Sequence, residues 1–283
     1  MPALLLDGLS KKLRESCRQR VLRLAELGIT PRLDVVVATQ DPASLSYVRM
    51  KRRWAEAMGV AGETHELTER TTQAEFLDII RRLNADPAVH GVLIQHPAPK
   101  QLDEDEALLT LGADKDVDGI TPASLGRLAC GLPGFQCATP LGIMRMLQSA
   151  NIPLAGKRAI VIGRSNIVGK PMALMLLSAN CTVTIAHSKT EDLADRCREA
   201  DILVAAVGRA EMVRGDWIQP GTVVVDAGYN KIPGHSGDVG DVHFNEVREV
   251  ASWITPVPGG VGPMTVASLL SNAVDAAEKT IPT

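Results

Sequence analysis

The feature that most constrains the fold is a series of short, β-branched apolar runs separated by helical patterns. Hydrophobic residues follow one another within each run instead of alternating with polar ones, which is typical of parallel strands covered on both faces. The pattern therefore predicts an α/β protein. The runs are LDVVVAT (33–39), GVLIQ (91–95), AIVIG (159–163), TVTIA (182–186), ILVAAV (202–207) and TVVVDAG (222–228).

Two of the intervening helices carry start signals. Thr72 is followed three residues later by Glu75, which predicts a capping box. In this helix, the side chains predicted to face inward are those of Phe76, Ile79, Ile80 and Leu83. Thr139 and Pro140 predict the N-cap and first helical residue of a second helix over residues 139–150.

Gly/Pro-rich segments suggest how the chain is divided. A length of 283 residues fits two domains. The segment 131–140 is rich in Gly and Pro, and 255–265 is richer still. We predict a first domain of residues 1–138 with a C-terminal helix 263–283, and a second domain of residues 139–262.

Composition narrows the functional classes. The net charge of −3 argues against a nucleic-acid partner. No run of about 18 apolar residues is present, so no membrane span is expected, and the N-terminus does not read as a secretory signal. The five cysteines lack C-x-x-C spacing, which fits structural thiols in a reducing cytoplasm. The six histidines lack metal-ligand spacing, and no metal site is predicted.

Residues 159–176 read as strand, glycine turn and helix, the arrangement that binds nucleotide phosphates. Gly163 and Gly169 are six residues apart and Ser165 holds the middle position, so the G-x-G-x-x-G pattern is broken. The next strand ends without the acidic residue typical of NAD sites. Arg164 and Ser188 can bind a 2′-phosphate, which favours NADP, unless they are ordinary loop residues.

Lys51 lies on the apolar side of a predicted helix. Asp41 as N-cap and Pro42 start this helix, which reaches about Met58, and Tyr47 precedes Lys51 by about one turn. Such a lysine either extends its ammonium to water or is desolvated and shuttles protons near neutral pH. The helix alone does not decide.

Two other segments offer partners for this lysine. Gln95 ends a predicted strand, where α/β proteins deliver side chains to a binding crevice. Asp116 and Asp118 lie in the segment 115–121. A carboxylate there would pair with a cation, cap a helix or turn, or bind the N–H face of a heterocycle.

Together these motifs resemble the methylenetetrahydrofolate dehydrogenase/methenyltetrahydrofolate cyclohydrolase family. They occur in order over nearly the whole chain, and the last is the most specific. They are Y-V-x-x-K (47–51), Q-x-P-x-P (95–99), K-D-V-D-G (115–119), G-R-S-x-I-V-G-x-P (163–171) and P-V-P-G-G-V-G-P-M-T (256–265).

The resemblance implies two α/β domains flanking a cleft, the second a Rossmann-like doubly wound parallel sheet. It implies NADP-dependent oxidation of 5,10-methylenetetrahydrofolate, followed by hydrolysis of the methenyl product to 10-formyltetrahydrofolate. It further implies tetrahydrofolate derivatives as ligands, a role in one-carbon metabolism and purine biosynthesis, and a homodimer.

Residue roles follow from the same resemblance. Lys51 would be the acid/base group, Gln95 would tune it, Asp118 would hold the pterin and Tyr47 would stack on it. Arg164 and Ser188 would take the 2′-phosphate. The other residues implied in cofactor binding are Gly163, Ser165, Ile167 and Tyr229, and those in substrate binding are Pro258, Gly259, Gly260 and Pro263.

Four positions depart from the usual family pattern without removing a residue assigned chemistry. His96 stands where Leu is usual, and Ala138 replaces a Cys. Leu141 replaces a cation, and Tyr229 replaces an Ile.

Three rival functions remain to be weighed. A monofunctional dehydrogenase is disfavoured by the retention of Lys51 and Gln95, and a shikimate-type dehydrogenase by the 256–265 loop. A non-catalytic folate- or nucleotide-binding regulator would be expected to lose the lysine.

Overall fold

A computed structural model describes residues 2–37, 42–232 and 237–281, with the backbone alone for residues 42–47. The chain forms two compact units. Unit A comprises Lys11–Ala138 and Val266–Thr283, and unit B comprises Met1–Ser10 and Thr139–Thr265. Among the helices described, none is long and apolar enough to cross a membrane.

The helices and strands alternate along most of the chain. The strands are β1 (Leu4–Leu5), β2 (Leu33–Val37), β3 (Thr64–Glu66), β4 (Gly91–Gln95), β5 (Arg158–Ile162), β6 (Thr182–Ala186), β7 (Ile202–Ala205), β8 (Val223–Asp226), β9 (Asn230–Lys231), β10 (Asp238–Val239) and β11 (Trp253–Ile254). The helices are α1 (Leu9–Glu26), α2 (Pro42–Met58), α3 (Gln73–Ala85), α4 (Glu104–Thr110), α5 (Pro122–Ala129), α6 (Ala138–Ser149), α7 (Gly169–Ser178), α8 (Leu193–Arg198), α9 (Phe244–Arg248) and α10 (Val261–Glu278).

Unit A is built on a parallel sheet with the order β3-β2-β4. Every residue of β2 is buried, as its continuous apolar pattern requires. The predicted capping box of α3 is confirmed: the Thr72 hydroxyl accepts the Glu75 N–H and the Glu75 carboxylate accepts the Thr72 N–H. Leu77 is buried and Ile79 only half-buried, so the buried face is rotated slightly from the predicted one.

Unit B contains a six-stranded parallel sheet with the order β1-β11-β8-β7-β5-β6 and a small antiparallel pair, β9 and β10. This confirms the predicted α/β class. The central strands β7 and β8 are fully buried. β6 is mostly exposed, contrary to the expectation that every apolar run is covered on both faces, because it lies at the edge of the sheet.

Three local predictions need revision or lie outside the description. The first ten residues, predicted in the first domain, belong to unit B because β1 pairs with β11. Thr139 is not an N-cap: α6 already begins at Ala138, and the Thr139 hydroxyl accepts a hydrogen bond from Thr265 at 3.0 Å. Asp41, the predicted N-cap of α2, lies outside the described residues.

Two buried aspartates fix the loops that follow β7 and β8. Asp241 accepts the backbone N–H groups of residues 207–209. Asp226 accepts those of Gly228, Asp241 and Val242, each at 2.9 Å. Burial raises the pKa of Asp226 to about 7, against the opposing effect of these hydrogen bonds.

Candidate active site

Helix α2 places Lys51 on its inward side, as the sequence predicts. Val48 and Ala55, three residues before and four after, are buried, whereas Arg49 and Arg53 are exposed. Lys51 itself is half-buried. The side chain of Tyr47 lies outside the described residues, so its predicted role stays a prediction.

Gln95, at the end of β4, is the direct partner of this lysine. Lys51 Nζ donates to Gln95 Oε1 at 2.9 Å. Gln95 Nε2 donates to the backbone carbonyl of His96 at 3.0 Å. Because both ends of the amide are engaged, its oxygen stays turned toward Lys51.

The two aspartates of the K-D-V-D-G segment divide the roles that the sequence left open. Asp116 is buried, and its carboxylate accepts the N–H groups of Gly119, Ile120 and Thr121 at 2.9, 3.2 and 2.9 Å. Asp116 is therefore the turn residue. Asp118 is the carboxylate that interacts electrostatically with Lys51.

The electrostatics of this cluster favour a lysine that can change its protonation state. Burial lowers the pKa of Lys51, and the negative charge of Asp118 opposes that shift. Burial raises the pKa of Asp118, opposed by the charges of Lys51 and then His96. Since burial disfavours both charged forms, the neutral lysine is more accessible here than on a protein surface.

In unit B, glycines permit close backbone approaches at the predicted nucleotide turn. Gly163 has a φ of +127°, and a Cβ there would lie 2.2 Å from the Ala206 carbonyl oxygen. A Cβ on Gly169 would lie 2.4 Å from the carbonyl oxygen of Gly163. The six-residue glycine spacing thus reflects the packing of the turn against the first residue of α7.

Ser165 explains why the middle glycine of the common pattern is absent. Its hydroxyl accepts the N–H groups of Val168 and Gly169 at 3.2 and 3.3 Å, at the start of α7. A side chain there supports the helix N-terminus, where a glycine would leave those groups without this partner.

The other predicted cofactor residues lie near the carboxyl ends of neighbouring strands. Arg164 and Ser188 are exposed and follow β5 and β6, which pair with Ile162 opposite Ala186. Ile167 is exposed in the turn before α7. Tyr229 donates its hydroxyl to Asp238 at 2.5 Å.

The glycine-rich segment before α10 is a tight turn. The Val257–Pro258 peptide bond is cis, and Gly259 has a φ of +114°. Gly260 is buried and donates its N–H to the Pro256 carbonyl at 2.9 Å. Pro263 is in the first turn of α10. The structure thus gathers the predicted substrate-loop residues into one turn of unit B.

Comparison with known proteins decides the family. Two family models match the sequence. The one described as "Tetrahydrofolate dehydrogenase/cyclohydrolase, catalytic domain" matches residues 6–118, and the one described as "Tetrahydrofolate dehydrogenase/cyclohydrolase, NAD(P)-binding domain" matches residues 137–281. The chain belongs to the tetrahydrofolate dehydrogenase/cyclohydrolase family. A bifunctional FolD protein of Caulobacter sp. strain K31 is 53% identical, covering 98% of this chain and 97% of that protein.

Solved structures agree with this assignment. The bifunctional FolD of Campylobacter jejuni has a TM-score of 0.96 at 44% identity, covering 99% of this chain and all of the other. The Trypanosoma brucei FolD, complexed with NADP and an inhibitor, has a TM-score of 0.95 at 34% identity over the full length of both chains. The chain is therefore a bifunctional enzyme of the family, with dehydrogenase and cyclohydrolase activities. A shikimate dehydrogenase of Thermus thermophilus, with a TM-score of 0.53 at 17% identity, shares only the fold.

Sequence reasoning noted His96 as a departure from the family pattern but missed its partner. His96 Nδ1 is hydrogen-bonded to Glu104 Oε1. The other oxygen of Glu104 accepts the Ala98 N–H at 2.7 Å. A glutamate eight residues after a histidine carries no motif, so the sequence offered no signal for this pair.

The sequence predicted no metal site, yet one group of described side chains has ligand atoms within 4.8 Å of one another. The group is Asp34, Glu63 and His65. Asp34 is fully buried and already bonded by Arg32 at 2.8 and 2.9 Å and by His65 at 2.8 Å. These bonds satisfy the Asp34 carboxylate without an ion.

Proposed function

We propose that Lys51 is the acid/base group of the hydrolytic reaction, with Gln95 as the residue that positions it. In that reaction water adds to the methenyl carbon, and the bond from that carbon to N5 opens to give 10-formyltetrahydrofolate. A lysine that gains and loses a proton near neutral pH can assist both steps. The observation that carries this assignment is the 2.9 Å Lys51–Gln95 hydrogen bond, made by a lysine whose pKa is lowered by burial.

Substrate binding in the same unit would fall to Asp118 and Tyr47. Asp118 is free of the turn role that Asp116 fills, which supports its use to hold the pterin. Tyr47 precedes Lys51 by four residues in α2, and this spacing supports its role as a stacking platform. In unit B, the turn formed by Pro258, Gly259, Gly260 and Pro263 would approach the substrate through backbone atoms.

For the oxidation, the cofactor is NADP. Arg164 and Ser188 would bind its 2′-phosphate, since both are exposed after the carboxyl ends of paired strands. The backbone and side chains of Gly163, Ser165, Ile167 and Tyr229 would complete the site. The NADP complex of the Trypanosoma brucei enzyme supports this cofactor. Hydride transfer needs placement of the two rings more than a protein nucleophile.

We further propose a cytoplasmic homodimer that supplies formyl groups to purine biosynthesis. The edge strand β6 supports the dimer, because no other described strand pairs with its outer side, and because Ile185 on β6 and Leu177 on α7 are 44% and 58% exposed. The thiols of Cys130, Cys137, Cys181 and Cys197 form no disulfide, which supports a reducing compartment.

The Lys51 assignment predicts the behaviour of a Lys51→Met variant. Methenyltetrahydrofolate hydrolysis should fall by at least about 100-fold, because the variant loses its acid/base group. NADP binding, measured by fluorescence titration, should be unchanged. The matched control is Arg52→Met, which removes an exposed cation from the same helix. Hydrolysis that persists at the wild-type rate in Lys51→Met would rule out the assignment.

A further inference from the structure

The His96–Glu104 pair fixes one nitrogen of the imidazole. The hydrogen bond from His96 is the largest influence that lowers the pKa of Glu104, with the Ala98 N–H acting in the same direction. Glu104 is therefore a carboxylate near neutral pH and accepts at both oxygens. Because a carboxylate only accepts, Nδ1 of His96 carries the hydrogen.

The second nitrogen of the ring is left for another use. Nε2 is buried, and none of the residues the structure describes bonds to it. In the neutral ring, a hydrogen on Nδ1 leaves a lone pair on Nε2. A buried polar atom without a partner is unfavourable, because it has lost its hydrogen bonds to water and gained none in return. Such an atom is a candidate for contact with substrate or a reacting water.

His96 also lies beside the Lys51 cluster. It directly follows Gln95, whose amide bridges Lys51 Nζ and the His96 carbonyl. When the ring is protonated, its charge lowers the pKa of Asp118, as the charge of Lys51 does. Glu104 on α4 and Asp118 in the 115–121 turn thus interact with the imidazole, and Asp118 interacts in turn with Lys51 on α2.

We propose that His96, oriented by Glu104, is a second proton carrier in the hydrolytic reaction. This proposal rests on the proposed role of Lys51 but assigns a separate step. As the water oxygen bonds to the methenyl carbon, Nε2 takes a proton from that water and the π electrons of the carbon–nitrogen double bond move to nitrogen. The resulting imidazolium is balanced by Glu104.

The remaining steps return the ring to its starting state. The bond from the former methenyl carbon to N5 breaks, its electron pair stays on N5, and N5 takes a proton while the carbinol hydroxyl loses one. Lys51 serves this exchange, and His96 returns to its neutral form by releasing its proton to water that enters as the product leaves. The sum is methenyl cation plus water giving 10-formyltetrahydrofolate plus one proton.

The test compares the ratio of cyclohydrolase to dehydrogenase kcat in purified full-length variants, after subtraction of spontaneous hydrolysis. His96→Leu should lower that ratio about tenfold, less than for a sole acid/base group because Lys51 remains. The pH dependence of the cyclohydrolase should change as well, because one of its two proton carriers is removed. His96→Gln, which retains hydrogen bonding without carrying protons, should behave like His96→Leu.

The control is His243→Leu. His243 is paired with Glu246 in unit B and is 24% exposed, close to the 20% of His96, and its loss should leave the ratio unchanged. A wild-type ratio and pH profile in His96→Leu would overturn the proposal, and so would recovery of the ratio in His96→Gln. The Lys51→Met variant tests the Lys51 assignment separately. If methenyltetrahydrofolate hydrolysis survives in that variant, the Lys51 assignment is wrong, whatever the His96 variants show.

Discussion

Asp116 and Asp118 lie two residues apart in one turn, yet their carboxylates have different surroundings. Asp116 accepts three backbone N–H groups, whereas Asp118 has a raised pKa and the charges of Lys51 and His96 acting on it. The K-D-V-D-G motif shows both residues but not which one the turn uses. That choice depends on the backbone path from 116 to 121, which local sequence preferences do not determine.

Asp226 gives a pH-dependent prediction. Its pKa of about 7 in the folded protein lies above the ordinary value of 3.8. Between about pH 4 and 7 the native state therefore binds more protons than the unfolded state. The stabilisation is complete below about pH 4 and is lost as the pH rises through 7, with an upper limit of roughly 4 kcal/mol.

An Asp226→Asn variant should lack this dependence. The urea midpoint of the wild type minus that of the variant should therefore fall from pH 5 to pH 8, because only the wild type loses this stabilisation. Asp201→Asn is the control, because the pKa of Asp201 is lowered and its carboxylate stays ionised over this range. A constant difference between wild type and Asp226→Asn would show that Asp226 does not titrate in this window.

At the scale of elements, the order of strand, turn and helix around the turn before α7 was predicted from sequence, whereas the role of one residue in that turn depends on packing. Strand, turn and helix were all predicted from residues 159–176, and β5 and α7 lie there. The role of Ser165 was not visible, because it depends on a hydroxyl reaching the Val168 and Gly169 N–H groups. Within this turn, glycine is needed where the backbone closes on itself, at Gly163 and Gly169.

This packing predicts the effect of Gly169→Ala. The new Cβ would lie 2.4 Å from the Gly163 carbonyl oxygen, so the turn has to shift. We expect a loss of roughly 1–3 kcal/mol in the free energy of unfolding and weaker NADP binding, measured by urea unfolding and by titration. Gly126→Ala is the control, since a Cβ added there in α5 would meet no described atom within 4 Å beyond its chain neighbours and its own helix backbone. Equal effects of the two changes would contradict the steric explanation.

The apolar sequence pattern predicted the long strands but neither the shortest strands nor the start of one helix. The long apolar runs predicted β2, β4, β5, β6, β7 and β8 because burial of a strand requires continuous hydrophobicity. β1 and β11 were not predicted, because each has two residues, too few to show a hydrophobic pattern. The start of α6 was misplaced because Thr139 bonds to Thr265, a contact across 126 residues.

At the scale of the whole molecule, the candidate site in unit A was predicted residue by residue only through the family resemblance. Lys51 and Gln95 are 44 residues apart, and neither spacing nor periodicity shows that they meet. What periodicity did show was that Lys51 faces inward on α2. The approach of β4 to that face follows from sheet pairing, which is non-local.

The proposed dimer predicts the effect of Ile185→Lys. A charge on the exposed side of the edge strand β6 should block pairing of two copies and shift the protein from dimer to monomer. Light scattering coupled to size-exclusion chromatography measures this directly. Leu109→Lys, at a 70% exposed position on α4, should leave the mass unchanged. A dimeric Ile185→Lys variant would place the interface elsewhere.

Each unit is assembled from two separate stretches of chain, and this has a consequence for biosynthesis. The core of unit A includes Leu270 and Val274, which are synthesised after the Thr139–Thr265 stretch of unit B, packed with residues such as Val35 and Leu93 from far earlier. Unit A therefore cannot close its core while the nascent chain is still being extended through unit B. Its apolar surfaces stay exposed until the stretch after residue 265 has been made, the interval in which chaperones or aggregation compete with folding.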